Sequence, residues 1–157
     1  RPSGHYLINL TRDQPFAQLD SADAAWPRAE SRDTRAKGLK FRGYILTGEQ
    51  RRPTFRYKIG DSLQVSDYAE PNAGALPSIT RRLRIRGNGE VWYIAAAGDS
   101  IPEENGGYNI GGTMLRVSFP ELATKPLIRD NNGRRELLIK LNVNGQATIK
   151  QQYEWNL

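Results

Sequence analysis

FRGYILTGEQRRPTFRYKIGDSLQVSDY, residues 41–68, holds three consecutive strand signals joined by two turn signals. Apolar residues alternate with charged or polar ones in all three, a period of two that is typical of half-buried strands. Residues 48–53, GEQRRP, and the pair Gly60-Asp61 provide the turns, because Gly tolerates positive φ and Pro cannot donate to a ladder. The stretch therefore predicts a β-meander.

The rest of the chain continues this pattern, with further strand signals in residues 5–11, 78–86, 91–97, 114–119, 126–129, 135–141 and 147–155. We interpret Gly87-Asn88-Gly89 and residues 142–145, NVNG, as tight hairpin turns. These features predict an all-β fold, an antiparallel β-sandwich or open barrel of about ten short strands in a largely meander order. We expect one domain over residues 1–157, with a strand and long loop in 1–39 and the main meander in 40–157. The predicted core contains Phe55, Tyr57, Leu83, Ile85, Leu115, Val117, Leu137 and Ile139.

The composition excludes several kinds of catalytic site. Cysteine is absent and His5 is the single histidine, so the chain lacks thiolate nucleophiles and the residues for a multi-histidine metal site. We expect no cofactor, and a noncatalytic role is favoured. No apolar run approaches the roughly 20 residues of a membrane span, so we expect no membrane insertion.

The net charge of +6 favours polyanions through long-range attraction without identifying one. The arginines are spread through several predicted strands, as on a solvated sheet face, and we expect at most weak, nonspecific polyanion binding. The strand arginines are Arg42, Arg56, Arg82, Arg84, Arg86 and Arg116.

Asp67 and Glu70 are the one carboxylate pair near a strand end that resembles a glycosidase site, which needs two carboxylates about 5–10 Å apart in a cleft. Salt bridges from these residues to Arg81 or Arg82 are the alternative that the surplus of arginine favours. Arg81 shares a predicted strand face with apolar residues. It is therefore either a residue near the strand end, with its head in water, which is the commoner case, or a buried arginine paired with a carboxylate. Arg81 is also a candidate ligand-binding residue.

Residues 98–112, GDSIPEENGGYNIGG, form a long irregular stretch rich in Gly and carboxylates. Asp99, Glu103 and Glu104 are candidate calcium ligands, because hard cations prefer clustered oxygens. The spacing matches no established calcium loop, and a solvated turn is the favoured interpretation. Tyr108 in the same stretch is a candidate ligand-binding residue.

The predicted strand VWYIAAA, residues 91–97, is apolar on both faces, so one face is left to be covered by something other than the main core. Trp92 on such a face is a candidate for binding a ligand or a neighbouring domain. The alternative is that the long loop in residues 20–39 folds over this row with Trp26. Trp26 is itself a candidate ligand-binding residue, although an indole in a loop more often fills the edge of a core.

Five segments occur in a recognisable order: PFAQL (15–19), FRGYILTGEQRRPTFRYKIGD (41–61), VSDYAEP (65–71), ITRRLRI (79–85) and QQYEW (151–155). Together they resemble a β-rich module of large bacterial multidomain proteins, the planctomycete-type haem-binding or c-type-cytochrome sugar dehydrogenases. The resemblance spans nearly the whole chain, and FxGYxL followed by RPTFxY is its most specific part. The Cys-x-x-Cys-His haem-attachment motif has no counterpart here.

The resemblance implies a noncatalytic accessory module of an extracytoplasmic bacterial protein, periplasmic or secreted. Such a module would bind carbohydrate or dock on adjacent haem or dehydrogenase domains of the same polypeptide. The chain begins Arg-Pro-Ser-Gly, without Met, and we interpret it as part of a longer protein. Two alternatives stay open: a carbohydrate-active sandwich enzyme that uses carboxylates, and a basic domain that binds polyanions.

Overall fold

A computed structural model describes residues 14–27, 39–47 and 51–155. The strand predicted in residues 5–11 and much of the predicted loop lie outside the described residues. The described part contains strands and turns, and none of its segments is a helix of the length and apolarity that crossing a membrane requires.

Ten antiparallel strands form one open sheet, which confirms the predicted all-β antiparallel fold. The main path across the sheet is β2-β3-β4-β5-β10-β8-β7-β6, with β1 paired to β5 and β9 paired to β10. The strands are β1 (Phe16–Ala17), β2 (Leu39–Thr47), β3 (Arg52–Ile59), β4 (Leu63–Pro71), β5 (Ser78–Gly98), β6 (Glu103–Glu104), β7 (Gly107–Asn109), β8 (Leu115–Ser118), β9 (Leu127–Asn131) and β10 (Arg134–Trp155). The meander predicted from residues 41–68 is thus β2, β3 and β4.

Two long strands, β5 and β10, run side by side through the middle of the sheet, and both predicted hairpin turns within them are wrong. The two turn-like segments instead lie opposite each other, with Gly87 paired to Gly145 and Asn88 to Asn144. Gly87 has φ 127°, and a Cβ there would lie 1.9 Å from the backbone oxygen of Ser62. The glycines therefore let a two-stranded ribbon bend against a neighbouring turn instead of reversing each strand.

The main core lies on one face of the sheet and contains residues from both sides of the bend. Leu83 and Ile85 come before the bend in β5, and Val91 and Tyr93 come after it. Six of the eight predicted core residues are buried: Leu83, Ile85, Leu115, Val117, Leu137 and Ile139. Tyr57 is half-buried, and the prediction for Phe55 is wrong because β3 lies near the edge of the sheet, where Phe55 is 37% exposed.

A second, smaller core lies on the opposite face of β5, beyond the bend. Trp92, Ile94 and Leu138 are covered there by residues 14–27, which we call the arm. The arm contributes the buried Trp26, whose indole Nε1 donates to the carbonyl of Gln14 at 2.9 Å. Covering by the arm explains why residues 91–96 are apolar on both faces.

Candidate functional site

The outer face of the sheet before the bend carries a group of basic side chains that strand register brings together. In one cross-strand row, Ser66 of β4 lies between Arg56 of β3 and Arg84 of β5. In the next row, Gln64 lies between Lys58 and Arg86. Paired residues of antiparallel strands project from the same side of the sheet, so these four cations form one surface. We call Arg56, Lys58, Arg84 and Arg86 the basic face.

Local sequence explains why the basic face points outward. In residues 79–86, ITRRLRIR, the apolar Leu83 and Ile85 are fully buried in the main core, so the alternating arginines must lie on the opposite side. The same alternation in β3 buries Ile59 and exposes Arg56. The core thereby fixes the direction of the cations on two separate strands.

The basic face is accessible, and its cations have no acidic partner in the part of the chain that the structure describes. Arg56, Arg84 and Arg86 are exposed, and Lys58 is half-buried. Among residues 14–27, 39–47 and 51–155, none forms an ion pair or hydrogen bond with these four side chains. Four unpaired cations on one surface make a positive field that a neutralising ligand would relieve.

Glu70 lies at one end of the basic face. Its carboxylate accepts from Arg82 at 2.6 Å and lies 3.8 Å from Arg52. The hydrogen bond from Arg82 holds the pKa of Glu70 below its ordinary value. Arg82 and Arg52 are therefore neutralised, whereas the neighbouring basic face is not.

Arg81 points the other way, toward the main core, and it adopts the less common of its two alternatives, a buried arginine paired with a carboxylate. Its guanidinium binds Asp67 with two hydrogen bonds of 2.9 and 2.6 Å. It also donates to the hydroxyls of Tyr93 and Tyr153, each at 3.2 Å. Burial raises the pKa of Tyr93 well above its ordinary value, so its hydroxyl keeps the proton that it donates to Gln151. This closed network satisfies its own donors and acceptors.

Asp67 and Glu70 project from opposite faces of β4. Asp67 is buried on the core side with Arg81, and Glu70 lies on the outer side with Arg82. The salt bridges anticipated as the alternative are present, and the two carboxylates do not share a cleft. The pair gives no geometric support for a glycosidase site.

The acidic residues of the stretch 98–112 are drawn to separate partners. Glu103 pairs with Lys125 at 3.1 Å, and Glu104 accepts from Asn109 at 2.9 Å. Asp99 lies beside Gly112. Within the described residues, no three acidic or histidine side chains are close enough to hold a metal ion.

Tyr108 lines a surface depression of about 300 Å³ whose other side is formed by residues 119–126. The ring is 5% exposed and lies 6.3 Å from the ring of Phe119. Burial and the nearby Glu103 carboxylate raise the pKa of Tyr108, with Lys125 acting in the opposite direction. The depression is small and contains few polar groups that converge on one point, so it defines no chemistry.

Trp92 and Trp26 both lie in the second core, 5% and 4% exposed. Of the two alternatives for the apolar row of residues 91–97, the structure supports coverage by the chain's own arm. Neither indole presents a ring to a ligand. The basic face was missed because its members are far apart in sequence, and only the register of β3, β4 and β5 brings them together.

Comparison of the chain with protein-family models, with curated proteins and with solved structures finds no match.

Proposed function

We propose that this domain is a noncatalytic binding module that holds an anionic polymer on the basic face. The observation that carries the proposal is the register of β3, β4 and β5, which places four unpaired cations on one exposed surface. Charge-assisted hydrogen bonds to anionic groups would replace the water that now solvates these side chains. A basic domain that binds polyanions was one of the alternatives that the sequence left open, and it thereby becomes the preferred function.

Two observations favour the binding role over the enzyme role. The nominated carboxylates, Asp67 and Glu70, are each held by an arginine on a different face of the sheet. The buried network around Arg81 has its polar groups bonded to one another. The described residues thus offer an exposed binding surface and no assembled acid and base pair.

The expectation that the domain belongs to a larger extracytoplasmic bacterial protein is retained as part of this proposal. The resemblance to modules of haem-binding sugar dehydrogenases is its support. Binding through Trp92 is replaced by binding through the basic face, because Trp92 lies under the arm. An acidic carbohydrate would satisfy both the resemblance and the charge of this surface.

The double substitution Arg56→Gln with Arg84→Gln tests the proposal. It removes two cations of one cross-strand row and keeps polar side chains of similar length. Because hydrogen bonds to charged groups contribute about 1.5–3 kcal/mol each, affinity for heparin should fall at least tenfold at low salt. Isothermal titration calorimetry measures this affinity directly.

Arg134→Gln with Arg135→Gln is the matched control, since it removes the same charge from the exposed first two residues of β10, which pair with β9. This variant should lose only the small long-range contribution of net charge. Equal losses of affinity in the two double variants would show that the attraction is general and that the basic face is not a site.

A further inference from the structure

The basic face surrounds a strip of shorter neutral side chains. Gln64 and Ser66 are these shorter residues, and the longer Tyr68 follows them along the outer side of β4. On the basic face, β3 supplies cations on one side of this strip and β5 supplies cations on the other. Long side chains flanking shorter ones give a trough that runs parallel to β4, with walls of positive charge.

The spacing of the walls limits what can occupy the trough. Residues two apart on a strand are separated by roughly 7 Å, and strands two apart in a sheet by roughly 10 Å. A ligand that uses all four cations must therefore present anionic groups on both of its sides and at intervals along its length. We infer that the trough binds a linear polysaccharide that lies lengthwise along β4 and carries sulfate or carboxylate groups on both sides of its chain.

This inference rests on the proposed function and selects one class of polyanion. Successive sugars of a linear polysaccharide direct their substituents to both sides of the chain. A single-stranded nucleic acid instead places its phosphates along one backbone and its bases to the other side, where proteins provide aromatic stacking platforms. Tyr68 is the one aromatic side chain among the described residues of the trough, and it is half-buried with its hydroxyl 3.4 Å from Glu70.

Glu70 closes one end of the trough. It is the next residue after Tyr68 on the same side of β4. Its carboxylate forms ion pairs with Arg82 and Arg52, the next cations along the two walls. Replacing Glu70 with Gln would release Arg82 from its ion pair and lengthen the positive wall that β5 supplies. A chain lying along β4 would use this extension only if it were long enough to reach it.

Glu70→Gln should therefore strengthen binding in a length-dependent manner. With heparin oligosaccharides as probes, we expect the affinity for an octasaccharide to rise about tenfold, as one added charge-assisted contact implies. The affinity for a tetrasaccharide should change by less than about threefold, the effect of one unit of net charge. Glu103→Gln, which releases Lys125 from a similar ion pair away from the trough, is the control and should leave both affinities nearly unchanged.

A gain that is equal for the two oligosaccharides, or no gain, would contradict lengthwise binding along β4. Oligodeoxythymidylate of the same charge as the octasaccharide is the second probe, and tighter binding of this probe would contradict the choice of a polysaccharide. In both cases the proposed function stands if Arg56→Gln with Arg84→Gln still weakens binding. If that variant weakens neither probe, the proposed function itself fails.

Discussion

Trp92 and Trp26 are the two largest side chains between the arm and the sheet. The outer side of β5 is charged before the bend and apolar after it, where the two indoles are buried. The Lys140 Nζ lies over the face of the Trp92 ring, 5.7 Å from its centre. Trp92 is thus one of the main contacts that hold the arm to the sheet.

Trp92→Ala should lower the free energy of unfolding by about 3–5 kcal/mol, because it leaves a cavity that the surrounding strands cannot close. Urea unfolding followed by far-UV circular dichroism measures this change. Leu127→Ala, at a position 40% exposed, is the control and should change stability by less than about 0.5 kcal/mol. A Trp92→Ala variant as stable as the unmodified protein would mean that the arm does not pack on Trp92.

The basic face also depends on the identity of single residues. Arg84 and Arg56 are ordinary exposed residues when each strand is considered alone. Their significance comes from Ser66, a small neutral residue that pairs with both and leaves the space between them open. A carboxylate at position 66 would have neutralised the same surface.

Among the elements, the bend in β5 and β10 positions both the main core and the basic face. Gly87 has φ 127° and Gly145 has φ 85°, conformations that other residues adopt only with strain. Only Gly87 is also closely approached, since a Cβ there would meet the backbone of Ser62. The turn between β3 and β4 is therefore packed directly against the bend.

Gly87→Ala should be more destabilising than Gly145→Ala. Alanine at position 145 costs about 1–2 kcal/mol through backbone strain alone. At position 87 the clash with Ser62 adds to this strain, for a total of about 3 kcal/mol or more. Chemical denaturation of the two variants compares them, and equal losses of stability would show that the contact with Ser62 does not fix the bend.

The arm is attached to the sheet by a buried ion pair as well as by apolar contacts. Arg129 of β9 binds Glu136 of β10 at 2.9 Å. The same guanidinium donates to the carbonyls of Ala22 and Ala24 in the arm, at 2.8 and 2.6 Å. Arg129 therefore connects the β9–β10 hairpin to backbone that no strand partner satisfies.

Arg129→Met should destabilise the protein by about 3–5 kcal/mol, because it leaves the Glu136 carboxylate buried without a partner. Arg129→Met combined with Glu136→Leu should be more stable than Arg129→Met alone, since no uncompensated charge is left. Both variants lose the contacts to Ala22 and Ala24, so limited proteolysis within the arm should be faster in each. A double variant less stable than the single one would contradict this account of the ion pair.

The sequence predicted the elements more fully than their arrangement. Alternation in residues 41–68 identified β2, β3 and β4, and the strand signals in residues 126–129 and 135–141 correspond to the paired strands β9 and β10. Gly87-Asn88-Gly89 was wrongly predicted to form a tight hairpin turn, because glycines with positive φ suit both a tight turn and a sharp bend. Only the pairing of Gly87 with Gly145 distinguishes the two, and that pairing is a contact between distant segments.

For the whole molecule, the net charge of +6 is informative because of how it is distributed. Several arginines and lysines elsewhere are paired, including Arg82 with Glu70, Arg129 with Glu136 and Lys150 with Glu121. The basic face is a concentration of charge without such pairing in the described part of the chain. The spread of arginines through the sequence concealed it, because Arg56 and Arg84 belong to strands separated by a third.

Chemical-shift mapping tests most directly whether an anionic polymer binds the basic face. Adding a heparin octasaccharide to the isotope-labelled protein should shift the backbone amide signals of Arg56, Ser66 and Arg84, together with their neighbours on the outer side of β3, β4 and β5. These shifts should disappear as salt is added, because attraction between exposed charges is screened beyond about 10 Å at 0.1 M ionic strength. Shifts centred instead on the depression beside Tyr108, with the signals of β3 to β5 unchanged, would contradict the account.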